Sequence, residues 1–181
     1  MKKFIFFSLC LFSLNCAEAQ NQTSVEDGIL SLNLLTPGIE YEHGLTNKTT
    51  LNLRGGTGFA YLKSSAGNGF EGFGIYPIFN LQYRYYYNFE KRLNKGKVIR
   101  NNNGNYIALS GALQAGEPVI GNLEYNTDYF GLVGPVWGLQ RYYGSGFKLD
   151  LNLGAGYGFN ELEGSYFSPI MGIRLGWLLS N

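Results

Sequence analysis

His43 is the only histidine of the 181-residue chain, and it stands in the segment Tyr41-Glu42-His43-Gly44. A histidine beside a carboxylate can act as the general base for a serine nucleophile, which is the chemistry of many hydrolases. That chemistry needs a serine held close to the histidine, and the sequence around His43 has no His-x-Ser-Asn pattern. We therefore interpret His43 as a residue near a strand end and predict that the protein is not an enzyme.

Metal and nucleotide chemistry also lack the residues that they need. Both cysteines, Cys10 and Cys16, lie near the start of the chain, and the carboxylates are scattered, so no ligand cluster is apparent. The glycines of 154–158 resemble a nucleotide-binding loop, but they lie within a predicted strand instead of between a strand and a helix. We predict no metal site and no cofactor.

Charged residues inside predicted strands are the remaining candidates for a functional cluster. Seven of them fall on the polar face of their strand: Glu40, Glu42, Arg54, Arg84, Lys148, Asp150 and Arg174. Unpaired charges are costly to bury, so three acids and four bases on one enclosed face should pair across it. We predict a charge network that fills the interior of a small closed sheet and leaves no open pore.

The segments that carry these charges alternate between apolar and polar residues at every second position, which indicates β-strands. The clearest run is 73–89, where one face is apolar or aromatic and the other is polar or small. Similar runs, of which the last two are weaker, cover 51–62, 147–160, 167–179, 106–114 and 129–143. No helical period appears beyond the first 19 residues.

The composition also predicts an all-β chain. The 26 glycines are roughly twice the ordinary share of ~7%, and aromatic residues make up 16% of the chain. Glycine is a poor helix former, and aromatic residues favour strands. The formal net charge is only +1, so there is no basic excess that would attract nucleic acid. A single domain is the default at this length.

Residues 1–19 have the features of a cleaved secretory signal peptide. Two lysines precede an apolar stretch that is too short to span a bilayer as a helix, and Ala17-Glu18-Ala19 forms an A-x-A cleavage site. Lipidation at Cys16 is a competing interpretation, but Asn15 is a poor residue to precede a lipidated cysteine. We expect one exported domain over residues 20–181, which contains no cysteine and therefore no disulfide.

The length of the strands predicts a closed antiparallel transmembrane β-barrel. Several runs exceed the ~9–11 residues that a tilted membrane-spanning strand needs, and strands in lipid require a closed sheet. A break at 36–38 divides the first run into strands at 28–35 and 38–45, which brings the count to an even eight. The longest connection, 90–104, carries five basic residues: Lys91, Arg92, Lys95, Lys97 and Arg100. This connection either contacts anionic lipid headgroups or is a solvated loop.

Over nearly the whole exported region the sequence resembles the small eight-stranded outer-membrane β-barrel proteins of Gram-negative bacteria. The resemblance rests on LNLLTPGIEYEHGL, the tyrosine-rich LQYRYYYNFEKR, NGNYIAL and the closing strand. In that strand Gly172, Leu175 and Trp177 look like the signal that the barrel-insertion machinery reads. The resemblance implies an integral outer-membrane location, with lipid and lipopolysaccharide as surroundings. It implies no particular activity, since functions within such a fold are diverse.

The sequence therefore predicts a monomeric outer-membrane β-barrel with a structural or surface-interaction role. Two alternatives remain open. A membrane-embedded lipid-modifying enzyme, similar to the lipid A deacylases, would need a polar triad at one rim of the barrel. A secreted lipocalin-like protein that binds an apolar ligand would need the apolar faces of the strands to point inward.

Overall fold

The computed structural model describes residues 24–64, 70–162 and 164–181. The predicted signal peptide, residues 1–19, and with it Cys16, lies outside the described residues. The elements in chain order are β1 (Ile29–Asn33), β2 (Gly38–Gly44), β3 (Thr49–Ser64), β4 (Phe70–Tyr86), α1 (Phe89–Leu93), a 3-10 turn (Arg100–Asn102), β5 (Gly104–Ala115), β6 (Ile120–Gly121), β7 (Tyr129–Tyr143), β8 (Phe147–Asn160) and β9 (Gly164–Ser180). No helix in these ranges is long and apolar enough to cross a membrane.

All of these strands belong to one antiparallel sheet, and eight of them form a closed ring. The ring order is β3-β2-β1-β9-β8-β7-β5-β4, and the pairing of β4 with β3 completes the circuit. The short strand β6 pairs with Gly74 and Ile75 of β4. The predictions of an all-β chain and of eight main strands are confirmed. The first run is indeed divided, because β1 ends at Asn33 and β2 begins at Gly38.

The alternation of residue types determines which face of each strand points outward. On β8, Leu153 and Tyr157 are exposed, whereas Asp150 is fully buried. On β7, where the sequence left the direction open, Trp137 is exposed and Gln140 is buried. The ring therefore presents an apolar outer face and encloses a polar inner face.

Close approach between β7 and β8 depends on glycine. A Cβ added at Gly156 would lie 2.1 Å from the carbonyl oxygen of Val133, and one added at Gly154 would lie 2.1 Å from that of Pro135. Any side chain at these positions would therefore push the two strands apart. Glycine inside a strand often marks such a close backbone approach. Gly154 and Gly156 thus allow β7 and β8 to lie close together.

Residues 87–103 fold across one end of the ring. Phe89 and Ile99 of this segment pack with Tyr86 and Tyr106 in a buried apolar cluster. The prediction that the strand continues to residue 89 and gives way to a plain loop is wrong. The strand β4 ends at Tyr86, and Phe89 begins α1 with its ring buried instead of outward. The reason is that Phe89 covers the end of the ring, where burial removes its apolar surface from water.

The N-terminal and C-terminal residues of the described chain hold this covering segment in place. The backbone N–H of Asn101 donates to the carboxylate of Glu26 at 2.9 Å, and the backbone N–H of Glu26 donates to the side chain of Asn102 at 2.7 Å. The side-chain amide of Asn181 donates to that of Asn101 at 2.8 Å. The unusual length of the connection between β4 and β5 is explained by this role as a cover.

At the opposite end of the ring the connection 116–128 packs against β4. The backbone N–H of Val119 donates to the carbonyl of Ile75 at 2.8 Å, and that of Leu123 donates to the carbonyl of Phe73 at 3.1 Å. The hydroxyl of Tyr76, which points into the ring, donates to the carbonyl of Leu123. This connection is therefore tied to the sheet by hydrogen bonds.

We expect Gly156→Val to lower the stability of the folded ring by about 1–3 kcal/mol, because the new side chain has no room beside Val133. The matched control is Gly55→Val on β3, where an added Cβ meets nothing within 4 Å. Both changes add the same β-branched residue to a strand, so the difference isolates the close approach. Thermal unfolding followed by circular dichroism measures it, and equal melting temperatures for the two variants would contradict the prediction.

Candidate functional site

All seven charged residues that the sequence assigned to the inner face are buried. Each is positioned by the two-residue repeat of its strand, and β-sheet register places some of them opposite one another. Glu40 lies opposite Arg54 in the β2–β3 pair, and Asp150 lies opposite Arg174 in the β8–β9 pair. The buried set is Glu40, Glu42, Arg54, Arg84, Lys148, Asp150 and Arg174.

Arg84 lies at the centre of this charge cluster and is 0% exposed. Its guanidinium nitrogens approach all three carboxylates, at 3.0 Å from Asp150, 3.6 Å from Glu42 and 3.8 Å from Glu40. The same group donates to the side-chain oxygens of Gln82 and Gln140, both at 2.9 Å. The ring of Tyr106 lies 4.5 Å from the guanidinium carbon, which adds a cation–π contact.

Each carboxylate also accepts hydrogen bonds from other buried side chains. The donors are Lys148, Asn52 and Asn33 for Glu40, Thr50, Tyr86 and Gln140 for Glu42, and Tyr106 and Asn152 for Asp150. Hydrogen bonds from such donors, all of them neutral except Lys148, make burial of a carboxylate energetically tolerable. The two-residue repeat of the strands predicts the inward charges but not these neutral partners, although both sets of side chains lie on the inner face.

Two arginines at the margin of the cluster are less well paired. Arg54 donates to oxygens of neutral groups only, in residues Thr36, Thr57 and Asn80. Arg174 approaches Asp150 at 4.0 Å, the limit of an ion pair. Both arginines line a cavity of about 280 Å³ inside the ring. The predicted network is therefore dense around Arg84 and sparse around Arg54 and Arg174.

His43 lies on the outer face, where it pairs with Asp27 through Nδ1 and Oδ1 at 2.7 Å. The backbone N–H of Gly44 and the neighbouring imidazole hold the pKa of Asp27 below its ordinary value. Within the described residues, no hydroxyl or thiol is hydrogen-bonded to His43, so the pair lacks the nucleophile that hydrolysis requires. The same part of the chain holds no group of three or more residues that could bind a metal ion.

The basic residues of 90–104 lie at the covered end of the ring. Arg92 is half-buried and donates to the carbonyl of Val98 at 2.8 Å. The other four are exposed: Lys91, Lys95, Lys97 and Arg100. Their contact with anionic lipid stays a prediction.

The three residues of the insertion signal lie on β9 but face different directions. Trp177 is exposed and packs edge-on against Phe147, with ring centres 6.3 Å apart. Leu175 is half-buried, and Gly172 faces the interior beside the side chain of Asn152. An outward aromatic near the end of the last strand is accessible to a partner, and the signal itself stays a prediction.

Comparison of the chain with protein-family models, with curated proteins and with solved structures finds no match. The function must therefore be argued from the geometry. That geometry is a closed ring of eight antiparallel strands with an apolar outer face and a charged, hydrogen-bonded interior.

We expect Arg84→Leu to lower the free energy of unfolding by about 3–5 kcal/mol, because it leaves buried carboxylates without their shared cation. Thermal or urea unfolding of the purified protein measures this loss. The control is Lys48→Gln, which removes an exposed pair with Glu90 (2.6 Å) and should change stability little. A melting temperature for Arg84→Leu that equals that of the parent would refute a stabilising network.

Proposed function

We propose that the protein is an integral outer-membrane β-barrel with a structural or surface-interaction role and without catalysis. The observation that carries the proposal is the distribution of residue types across the sheet. Leu109, Leu153 and Phe167 are exposed on the outer face, whereas Arg84 and Lys148 are among the largest fully buried side chains. A protein surrounded by water favours the opposite arrangement. A closed sheet in lipid needs an apolar outer face and tolerates a polar interior.

The order of residues along the outer face supports the same proposal. Exposed aromatic residues lie toward both ends of the strands, with Tyr83, Tyr85, Tyr143, Phe147 and Trp177 at the covered end and Phe59, Tyr61, Phe73, Tyr157 and Phe167 at the other. The exposed residues between them include the aliphatic Leu81, Leu109, Val133, Leu153 and Ile173, together with the aromatic Tyr41, Phe79 and Trp137. Aromatic girdles around an aliphatic band are typical of transmembrane barrels, because amphipathic rings favour the headgroup region.

The filled interior favours a structural role over a channel. The charge cluster around Arg84 fills the interior next to the end that residues 87–103 cover. A lipocalin-like function is disfavoured because the inner face carries Glu40, Lys148 and Asp150 instead of apolar side chains. A lipid-modifying function is disfavoured because the exposed pair of His43 and Asp27 has no hydroxyl partner among the described residues.

The proposal also names partners. A closed ring satisfies the edges of its own strands, which favours a monomer. The end at which the described residues begin and end would face the periplasm, so the exposed lysines of 91–97 would meet anionic headgroups of the inner leaflet. Lipopolysaccharide would surround the other half of the ring. The barrel-insertion machinery would read β9 through Trp177 during assembly.

We expect the protein to fractionate with the outer membrane of the producing cell and to migrate differently on a denaturing gel before and after boiling. A closed ring of strands resists detergent until it is heated, which causes the mobility shift. A protein that is found in the soluble periplasmic fraction, and whose mobility is unaffected by boiling, would refute the proposal.

We also expect Leu153→Arg to destabilise the protein folded in lipid vesicles by about 2–4 kcal/mol, since Leu153 lies in the middle of the outer band. The control is Leu93→Arg in α1, which is exposed outside the ring strands and should be nearly neutral. Denaturant titration in vesicles measures both. If the outer face is in contact with water, both substitutions will be nearly neutral, and the membrane proposal fails.

A further inference from the structure

The interior cavity of about 280 Å³ has a mixed lining of two arginines, neutral polar groups, and apolar residues such as Ile78, Leu132 and Ile170. Its lining residues come from β3, β4, β5, β7, β8 and β9 and include Thr36, which lies in the connection from β1 to β2. Arg54 and Arg174 are its charged lining residues, and no carboxylate belongs to this lining within the described chain. Asn80, Ser110 and Asn152 add side chains that can donate hydrogen bonds.

Arg174 is the clearest sign that this cavity receives a ligand. Its side chain is only 8% exposed, and its Nη1 has no hydrogen-bond partner among the described residues. The nearest carboxylate, Asp150, lies 4.0 Å away and is already engaged by Arg84 and by the hydroxyl of Tyr106, each at 3.0 Å. A buried cation without a hydrogen-bonded acceptor carries a large desolvation cost.

Arg54 adds a second positive charge without a carboxylate. Its terminal nitrogens donate to Thr36, Thr57 and Asn80, which are neutral, and its buried Nε has no partner within the described part of the chain. Although Glu40 lies opposite Arg54 in the strand register, Glu40 is engaged by Lys148 and Asn52. The two arginines therefore face the cavity with donor capacity to spare.

The net charge of the buried side chains also favours an anion in the cavity. Four cationic side chains and three carboxylates are buried inside the ring, which leaves one uncompensated positive charge. The carboxylates gather around Arg84 and Lys148, so the excess lies beside the cavity. An anion in the cavity would neutralise it at the place where it is least paired.

We propose that the cavity binds a small tetrahedral oxyanion, of the phosphate or sulfate class, between Arg54 and Arg174. The guanidinium fork matches two oxygens of such an anion, and the amide and hydroxyl groups of the wall can donate to the others. The volume is well above the ~10–15 Å³ that one water needs, so the anion fits together with part of its hydration. The proposal depends on the interior and not on whether lipid surrounds the ring.

The test measures the melting temperature of the purified, folded mature chain in phosphate or sulfate and in chloride at matched ionic strength. A ligand that binds only the folded state raises the melting temperature, and titration calorimetry with inorganic phosphate then gives the affinity. We expect a rise with phosphate and sulfate that chloride does not produce. The absence of any such difference would overturn the proposal.

The decisive variant is Asn80→Asp, which places a carboxylate where the amide oxygen now accepts from Nη1 of Arg54 at 3.0 Å. This near-isosteric change supplies the missing negative charge, so the protein should fold at least as well while its affinity for phosphate falls by tenfold or more. Arg174→Gln should lose binding as well. The control is Arg100→Gln, an exposed arginine outside the cavity, which should bind as the parent does. Unchanged phosphate affinity in Asn80→Asp would refute the site.

Titration with glycerol 3-phosphate distinguishes a free phosphate ion from the phosphate group of a larger molecule as the ligand. Binding of inorganic phosphate without binding of the ester would assign a free anion as the ligand. Binding of both would assign the phosphate group of a larger molecule to the same arginines.

Discussion

Closure of the sheet is the constraint on which the rest of this structure depends. The pairing of β1 with β9 brings together strands from the two ends of the chain, and the pairing of β3 with β4 completes the ring. Once the ring is closed, every second residue of each strand is enclosed in a narrow space that can hold little beyond side chains. Charged side chains that point into the ring must therefore pair with groups inside it, and the contact of Arg84 with three carboxylates satisfies this requirement.

The two ends of the ring differ in structure, because one is covered by a packed segment and the other leads to a cavity. At one end Phe89 and Ile99 form an apolar cover, which hydrogen bonds to Glu26 and Asn181 secure. Toward the other end the interior opens into the cavity lined by Arg54 and Arg174. The negative charges are concentrated near the covered end, so the excess of positive charge falls at the cavity. This asymmetry, and not the presence of charge as such, makes the cavity a candidate anion site.

The outer face requires a separate explanation, because a ring of strands could in principle expose polar residues to water. Here the face is apolar along the strands, with exposed aromatic residues such as Trp177 toward the ends and both aliphatic residues such as Leu153 and the aromatic Trp137 in the middle. The proposed outer-membrane location accounts for this face and for the filled interior together. A closed hydrogen-bonded ladder also restrains the chain without disulfides, and the region after residue 19 contains no cysteine.

The sequence by itself determined the strand class, the direction of most faces and the seven inward charges, because the period of two depends only on residue identity along one strand. It did not reveal which charges pair. Arg84 and Asp150 are far apart in the chain, and their contact depends on the stagger of strands around the ring. Register alone was also insufficient, since Arg54 lies opposite Glu40 and yet bonds neutral groups. The inward turn of Phe89 was decided by the tertiary structure alone, because the apolar space that it fills exists only after the ring has closed.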